Sequence, residues 1–235
     1  MEALFEKIQN SFYINLVFEN RYLFLLNGFV LTLFLTGATF LVGTILGAFF
    51  CRIRLGRSRF AKKLVELIST LFIRLPTLVL LLIFVYLLFS GTDIDTTPLA
   101  ILAFSMKTGS YISYIFFSAY NAVNKGEVEA GRTLGMSRIQ VFMSVTFPQI
   151  IRFALPTYKN QLIITLQETS LVGFFAMNDL TRASQVITSR TMDPYISLII
   201  TAAAYLLIGS LSNFLFKFLE RNRHLKEGKD YFISK

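Results

Sequence analysis

Thirty consecutive residues without a formal charge separate Arg21 from Arg52. A helix needs only about 20 predominantly apolar residues to cross the hydrocarbon core of a bilayer. The rest of the chain agrees, since 54% of its 235 residues are hydrophobic and 16% are charged, against about 25% charged in an average soluble domain. The sequence therefore predicts an integral membrane protein rather than an ordinary soluble domain.

Five apolar stretches predict an all-α, polytopic membrane protein with about five transmembrane helices. They are expected near residues 22–50, 64–90, 97–121, 149–177 and 194–216. The domain organisation that follows is a lead-in at 1–21 on the outer side, a transmembrane domain at 22–218 and a cytoplasmic basic tail at 219–235. In the lead-in, Leu4, Ile8, Phe12 and Leu16 recur at helical spacing. This spacing predicts a short helix lying in the membrane interface, and a frayed lead-in without a role is the alternative.

The distribution of Lys and Arg predicts the orientation of the spans. Fifteen of the 23 basic residues lie after the first span, after the third span and in the tail, whereas four lie on the opposite side. Cytoplasmic loops carry the excess of basic residues, so we expect the N-terminus outside and the C-terminus inside. The same distribution explains the net charge of +9 without a nucleic-acid partner.

The residues that usually build metal and catalytic sites are scarce. The chain has one cysteine, Cys51, and one histidine, His224, so we expect no intramolecular disulfide, no metal site and no catalytic residue. The interpretation is a transport subunit rather than an enzyme. An intramembrane enzyme that pairs Lys107 with Ser105 or Ser110 is an alternative of a different class.

Polar side chains inside two of the spans form stripes at helical spacing. The fourth span carries Thr157, Gln161, Thr165 and Glu168, and the third carries Lys107, Tyr111, Tyr114 and Ser118. Ionisable residues within a membrane usually face a bundle interior or a water-filled path, because lipid solvates them poorly. These stripes therefore predict the lining of a solute path.

Arg74 adds a further charge inside the spans, two residues before Pro76, where we expect the second span to kink. We expect Glu168 to form a partly buried pair with Arg74 or Lys107. A zwitterionic or charged solute can compete for such groups, which is the functional interpretation. The alternative is an ion pair that only fixes helix packing. An ion- or proton-coupled secondary transporter that uses Lys107 and Glu168 is the principal rival function.

The connection after the third span contains Gly126-Glu-Val-Glu-Ala-Gly131-Arg132-Thr133, which is one residue from a phosphate-binding loop. Arg132 stands where that motif requires Lys, and no strand precedes it. We therefore expect this chain to bind no ATP and no other cofactor. If ATP drives its process, another subunit hydrolyses it.

The same connection carries a second pattern over residues 122–148. Glu129-Ala130-Gly131 is followed by Gly135 and then, ten residues later, by Val145-Thr-Phe147-Pro148. This spacing resembles the EAA loop of bacterial ABC importer permeases. Ser137 and Gln140 predict a capping box that restarts a helix after Gly135, so we expect a helix, a turn and a second helix.

Four further segments extend the resemblance to most of the chain. They are Arg74-Leu-Pro76-Thr-Leu-Val-Leu-Leu, Gly109-Ser-Tyr111-Ile-Ser, Thr169-Ser170-Leu-Val-Gly173 and Asp179-Leu-Thr-Arg182-Ala-Ser. Together they resemble the polar amino-acid permease family of binding-protein-dependent ABC importers. The family often has a carboxylate where Tyr114 stands and Asn where Lys107 stands, and these departures bear on the choice of solute.

The resemblance implies a type I ABC importer permease fold in a prokaryotic inner membrane. It implies a homo- or heterodimer of permeases, two cytoplasmic ATPase subunits that bind ATP and Mg²⁺, and an extracytoplasmic solute-binding protein. Glu129, Ala130, Gly131 and Gly135 would dock on the ATPase, with the two glycines allowing close approach. The outer segment 178–193, with Asp179, Arg182 and Arg190, would form an external gate and a docking surface. The solute would be an amino acid.

Overall fold

A computed structural model of the protein describes residues 2–89, 91 and 94–233, and the side chains of residues 2–4, 7, 8 and 218–233 are outside that description. Most of the described residues are helical, and none of them forms a strand, which confirms the all-α class. The ten α-helices of this part are α1 (Glu2–Phe12), α2 (Tyr22–Arg54), α3 (Arg59–Arg74), α4 (Thr77–Leu82), α5 (Thr96–Asn121), α6 (Lys125–Thr133), α7 (Arg138–Val141), α8 (Phe147–Glu168), α9 (Leu180–Thr191) and α10 (Tyr195–Ile233). Short π or 3₁₀ segments join several of them at Tyr13–Val17, Phe18–Asn20, Ile83–Leu88, Phe142–Thr146 and Thr169–Phe175.

Four of the described helical stretches are long and apolar enough to cross a bilayer, at residues 22–54, 96–121, 138–175 and 195–217. The second predicted span, near residues 64–90, is broken rather than continuous. Its two pieces, Arg59–Arg74 and Thr77–Leu88, meet at an angle of 111°. Leu75 is extended, with φ −71° and ψ 134°, because the ring of Pro76 disfavours helical geometry in the preceding residue. The kink expected at Pro76 is therefore a sharp break, and Ser90, the predicted end of this span, lies outside the described residues.

The chain divides into two compact units, one of Met1–Leu31 with Asn178–Lys235 and one of Thr32–Met177. In the second unit α5 is the most buried helix, with Phe104 and Ile112 almost fully enclosed. Helix α2 approaches α5 closely, since a Cβ atom at Gly47 would lie 2.9 Å from the carbonyl oxygen of Gly109. Small residues spaced by four, here Gly43 and Gly47, allow this approach, which strengthens dispersion contacts between helices in lipid.

The first unit has a small apolar core formed by Leu25, Leu180, Ala183 and Ile187. Gly28 brings α2 against the start of α9, because a Cβ atom at position 28 would lie 2.7 Å from the carbonyl oxygen of Asp179. Any larger residue at position 28 therefore requires the backbone to move.

The second half of the lead-in is held in place by hydrogen bonds rather than frayed. The Asn15 side chain is fully buried, and its Nδ2 donates to Asp193 Oδ2 at 3.2 Å. Thr191 Oγ1 donates to Asn15 Oδ1 at 3.2 Å, and the hydroxyl of Ser11 donates to the Asp193 carboxylate. These bonds tie residues 11–15 to the turn between α9 and α10, while the membrane-surface location of the lead-in stays a prediction. At the other end, α10 continues through the predicted tail as far as Ile233.

Candidate functional site

A buried ion pair joins the two polar stripes of the second unit. Lys107 Nζ on α5 lies 3.1 Å from Glu168 Oε1 at the end of α8, and the side chains are 8% and 18% exposed. Glu168 is therefore paired, as expected, and Lys107 rather than Arg74 is its partner. Arg74 is exposed at the end of α3.

Thr77 completes this pair, and sequence reasoning missed it. The residue is buried in the first turn of α4, directly after Pro76. Its hydroxyl donates to Glu168 Oε1 at 2.7 Å and accepts from Lys107 Nζ. The Leu75 carbonyl lies 3.4 Å from Lys107 Nζ as a further acceptor. We name Thr77, Lys107 and Glu168 the charged cluster. The sequence did contain a signal for this role, because Thr77 directly follows Pro76, the proline that breaks a span carrying the charged Arg74.

The middle of the α8 stripe packs against α5. Thr165 Oγ1 lies 3.2 Å from Thr108 Oγ1 and donates to the Gln161 carbonyl at 2.8 Å. Gln161 is 4% exposed, and its Nε2 has no hydrogen-bond partner among the described residues. Since a buried donor without a partner is costly, Gln161 is a candidate for a hydrogen bond to a solute or water.

The part of the predicted path nearest Thr157 forms a separate cavity. Thr157 is exposed and lines a cavity of about 370 Å³ with Tyr114, Ser118 and Phe153. Tyr111, between the two ends of the α5 stripe, is half-buried. The stripe residues thus fall into two groups, the charged cluster with its threonine neighbours and this smaller cavity.

Arg54 differs from its expected place in a basic loop. It belongs to the last turn of α2, is 8% exposed, and its Nε donates to Ser113 Oγ at 2.9 Å. The guanidinium carbon Cζ lies 3.9 Å from the ring centroid of Tyr114, so a cation–π contact stabilises the charge. Tyr114 stands where the resembled family often has a carboxylate, and here its ring stabilises the charge of Arg54.

A larger cavity of about 750 Å³ lies elsewhere in the same unit. Apolar residues dominate its lining, which includes Cys51, Phe116, Ile150 and Leu155. None of the predicted path residues lines it. A polar solute finds few partners there, so its size does not make it the candidate site.

The segment 122–148 has the predicted helix, turn and helix, and we name it the coupling segment. Asn124 caps α6 by accepting from Gly126 N at 2.9 Å. Gly135 ends the turn with φ +84°, a conformation that favours glycine because it has no Cβ. The capping box expected at Ser137 and Gln140 is present at the start of α7.

Gly131 has a packing role inside the coupling segment. Gly131 is buried, and a Cβ atom there would lie 3.3 Å from Val141 Cγ2 and 3.4 Å from Met136 Sδ. The small residue therefore allows close packing inside the coupling segment, and its close approach to an ATPase subunit stays a prediction. Glu129, Ala130 and Gly135 are exposed and remain available for contact.

The coupling segment also exposes apolar side chains. Leu134 is 83% exposed, Ile139 is 75% exposed and Met143 is 60% exposed. Exposed apolar groups beside the charged Glu129 are typical of a protein contact surface. Sequence reasoning missed this surface, because a turn separates Leu134 from Ile139 and Met143 and no single helical period joins them.

Asp179 has a structural role at the start of α9. The carboxylate is fully buried and accepts from the backbone N–H groups of Arg182 and Thr181, each at 3.0 Å. Burial raises the pKa of this carboxyl, and the same two backbone bonds oppose the rise. The Arg190 Cζ lies 5.1 Å from the ring centroid of Phe24. The predicted gating and docking roles of Asp179, Arg182 and Arg190 stay predictions.

The rival Ser–Lys dyad is not assembled. Ser105 Oγ donates to the Thr39 carbonyl at 3.2 Å, and Ser110 Oγ donates to the Met106 carbonyl at 2.7 Å. Both hydroxyls are thus directed to backbone acceptors and not to Lys107. Among the described residues, no group of three His, Cys, Asp or Glu side chains is placed to hold a metal ion.

Comparison with known proteins places this geometry in context. A family model described as "Binding-protein-dependent transport system inner membrane component" matches residues 40–224. A histidine/lysine/arginine/ornithine transport system permease protein, HisQ of Escherichia coli, is 30% identical over 209 residues, covering 84% of this chain and 92% of the relative. A putative glutamine transport system permease protein of Rickettsia bellii is 24% identical over 208 residues, covering 87% and 94%. The crystal structure of an amino acid ABC transporter with histidines superposes with a TM-score of 0.79 at 26% identity, covering 88% of this chain and 97% of that one.

Proposed function

Because the chain belongs to the family of inner membrane components of binding-protein-dependent transport systems, we propose that it is the permease subunit of an ATP-driven importer of polar or charged amino acids. The charged cluster carries this proposal. It presents a buried ammonium and a partly buried carboxylate, with Lys107 Nζ and Glu168 Oε1 3.1 Å apart, and these two groups can bind the carboxylate and the ammonium of an amino acid. The names of the amino-acid permeases above support the same solute class.

In this proposal the solute path follows α5, α8 and the break before α4. Thr77, Lys107 and Glu168 bind the solute's charged ends, and Gln161 supplies the buried donor without a partner. Tyr111, Thr157 and Thr165 line the rest of the path, with Arg74 at its edge. The N-terminus lies outside and the C-terminus inside, as the distribution of basic residues predicts.

The coupling segment transmits the ATPase cycle to the path. Glu129 and Ala130 contact a cytoplasmic ATPase subunit that holds ATP and Mg²⁺, and Leu134 and Ile139 add apolar area to this contact. Gly131 and Gly135 fix the shape of the segment. A second permease copy, identical or different, completes the transporter, and an extracytoplasmic binding protein docks on 178–193.

The exposed side chain of Leu134 allows a test of the coupling proposal. Leu134 is 83% exposed, so Leu134→Asp should leave folding intact while it removes the apolar contact with the ATPase. Phe60→Asp is the matched control, because Phe60 is 79% exposed but lies outside both the coupling segment and the proposed docking segment 178–193. We expect the ATPase to co-purify with wild type and the control, and to be lost or uncoupled in Leu134→Asp.

The secondary-transporter alternative predicts a different result for the same preparation. Its uptake would follow an ion or proton gradient, would need no ATPase partner and would be insensitive to Leu134→Asp. Uptake by proteoliposomes that hold the permease and ATPase subunits, with binding protein outside and ATP inside, therefore separates the two. Uptake without ATP would overturn the importer assignment.

A further inference from the structure

The charged cluster is already neutral before any solute arrives. Lys107 and Glu168 are 3.1 Å apart and mostly buried, and Thr77 bonds to both of them. Among the predicted path residues Glu168 is the one carboxylate, so its charge is fully balanced by this chain's own lysine. The other charged path residue, Arg74, is exposed and basic.

We infer that Lys107 makes the solute site of this chain selective for amino acids without a net charge, and against cationic ones. This inference rests on the proposed amino-acid permease function and names the solute class within it. Its evidence is the 3.1 Å ion pair between Lys107 and Glu168 and the fact that Glu168 is the one carboxylate among the predicted path residues.

The selectivity follows from counting ion pairs. A neutral amino acid places its carboxylate on Lys107 and its ammonium on Glu168, so one internal pair is exchanged for two pairs with the solute. A cationic amino acid brings a second positive group into a site whose one carboxylate is shared with Lys107. One cation then lacks a partner in a poorly solvated place, where unpaired charges are strongly disfavoured.

The test uses the purified permease–ATPase complex in detergent, without binding protein, so that the selectivity of the binding protein does not enter. Radiolabelled glutamine is bound at equilibrium and displaced by unlabelled glutamine or arginine. In wild type we expect arginine to displace glutamine at least about tenfold less effectively than glutamine itself. In Lys107→Met, where Glu168 is no longer neutralised, the ratio should move toward arginine by at least about tenfold.

Two control variants identify the charge as the cause. Lys107→Arg keeps the positive charge and should keep the wild-type ratio. Lys159→Met removes a lysine of α8 outside the charged cluster and should also keep it. An assembled Lys107→Met complex with an unaltered ratio would overturn the inference, as would wild-type binding of arginine as tight as that of glutamine.

The two levels of proposal fail in different ways. A complex that imports amino acids with ATP but prefers arginine keeps the proposed function and overturns only the charge selection. A complete system that imports no amino acid overturns the proposed function itself. If Lys107→Met does not assemble, as size-exclusion chromatography would show, Lys107→Gln replaces it in the displacement series, and wild-type binding of arginine as tight as that of glutamine still overturns the inference.

Discussion

Gly131 packs directly against Val141, because a Cβ atom at position 131 would lie 3.3 Å from Val141 Cγ2. Gly131→Ala therefore needs shifts of a few tenths of an ångström in flexible side chains, whereas Gly131→Leu overpacks the segment, typically at about 1–3 kcal/mol. We expect Gly131→Leu to uncouple ATP hydrolysis from uptake, with insertion intact, and Gly131→Ala to keep most activity. Solute-stimulated ATPase activity and uptake in proteoliposomes measure this, and normal values for Gly131→Leu would contradict it.

Glu168→Gln should reduce uptake strongly without loss of the ATPase subunits. The amide keeps the shape but leaves Lys107 unpaired, and losing one partner of a fully buried pair costs about 3–5 kcal/mol. The cost should be smaller here, since the Glu168 side chain is 18% exposed. Uptake at saturating binding protein is the measurement, with the exposed neighbour Gln167 changed to Ala as control. An unaltered rate and solute preference would mean that the pair serves packing alone.

Gly47→Ala should destabilise the contact between α2 and α5. The new methyl group would lie 2.7 Å from Ile112 Cγ2 and 2.9 Å from the Gly109 carbonyl oxygen, so the helices must separate. Gly37→Ala on the same helix is the control, because no atom lies within 4 Å of a Cβ there. We expect the thermal midpoint of the detergent-solubilised complex to fall for Gly47→Ala, at an overpacking cost of about 1–3 kcal/mol. Equal midpoints for the two variants would argue against the close crossing.

Asp179→Ala should destabilise α9 by about 0.5–2 kcal/mol, the usual cost of losing an N-cap acceptor. Asp179→Asn keeps one of the two acceptor oxygens that bind Thr181 N and Arg182 N, so it should cost less than Asp179→Ala. The pKa of Asp179 is raised by burial, so its contribution favours folding most at low pH and declines as the pH rises through the folded-state pKa. Thermal midpoints measured across pH test this, and Asp179→Asn should lack the decline.

Single cysteines test the proposed orientation. With Cys51 replaced by Ser, Arg57→Cys and Asp95→Cys introduce thiols at exposed positions that the basic-residue distribution places on opposite sides of the membrane. A membrane-impermeant maleimide added to whole cells should label position 95 and spare position 57. Labelling of both positions from outside would contradict the predicted course of the first two spans.

Local features were predictable wherever a short stretch of sequence fixes them. The uncharged run before Arg52 specified α2, and the capping box at Ser137 specified the start of α7, because both depend only on residues near in the chain. Pro76 predicted a kink, but its angle was not predictable, since packing of α3 and α4 against their neighbours sets it. The sequence also marked Glu168 as a charge in need of a partner.

The sequence by itself determined the membrane class, the helices and the identity of the polar residues, because hydropathy, helical spacing and capping act over a few residues. Only the tertiary structure decided that Lys107, and not Arg74, pairs with Glu168, and that Thr77 joins them. It also decided that Gly131 packs against Val141 and that Gly47 packs against the backbone of Gly109. Apart from Gly131 and Val141, which lie on either side of one turn, these contacts join residues far apart in the chain, and their distances depend on how whole helices pack.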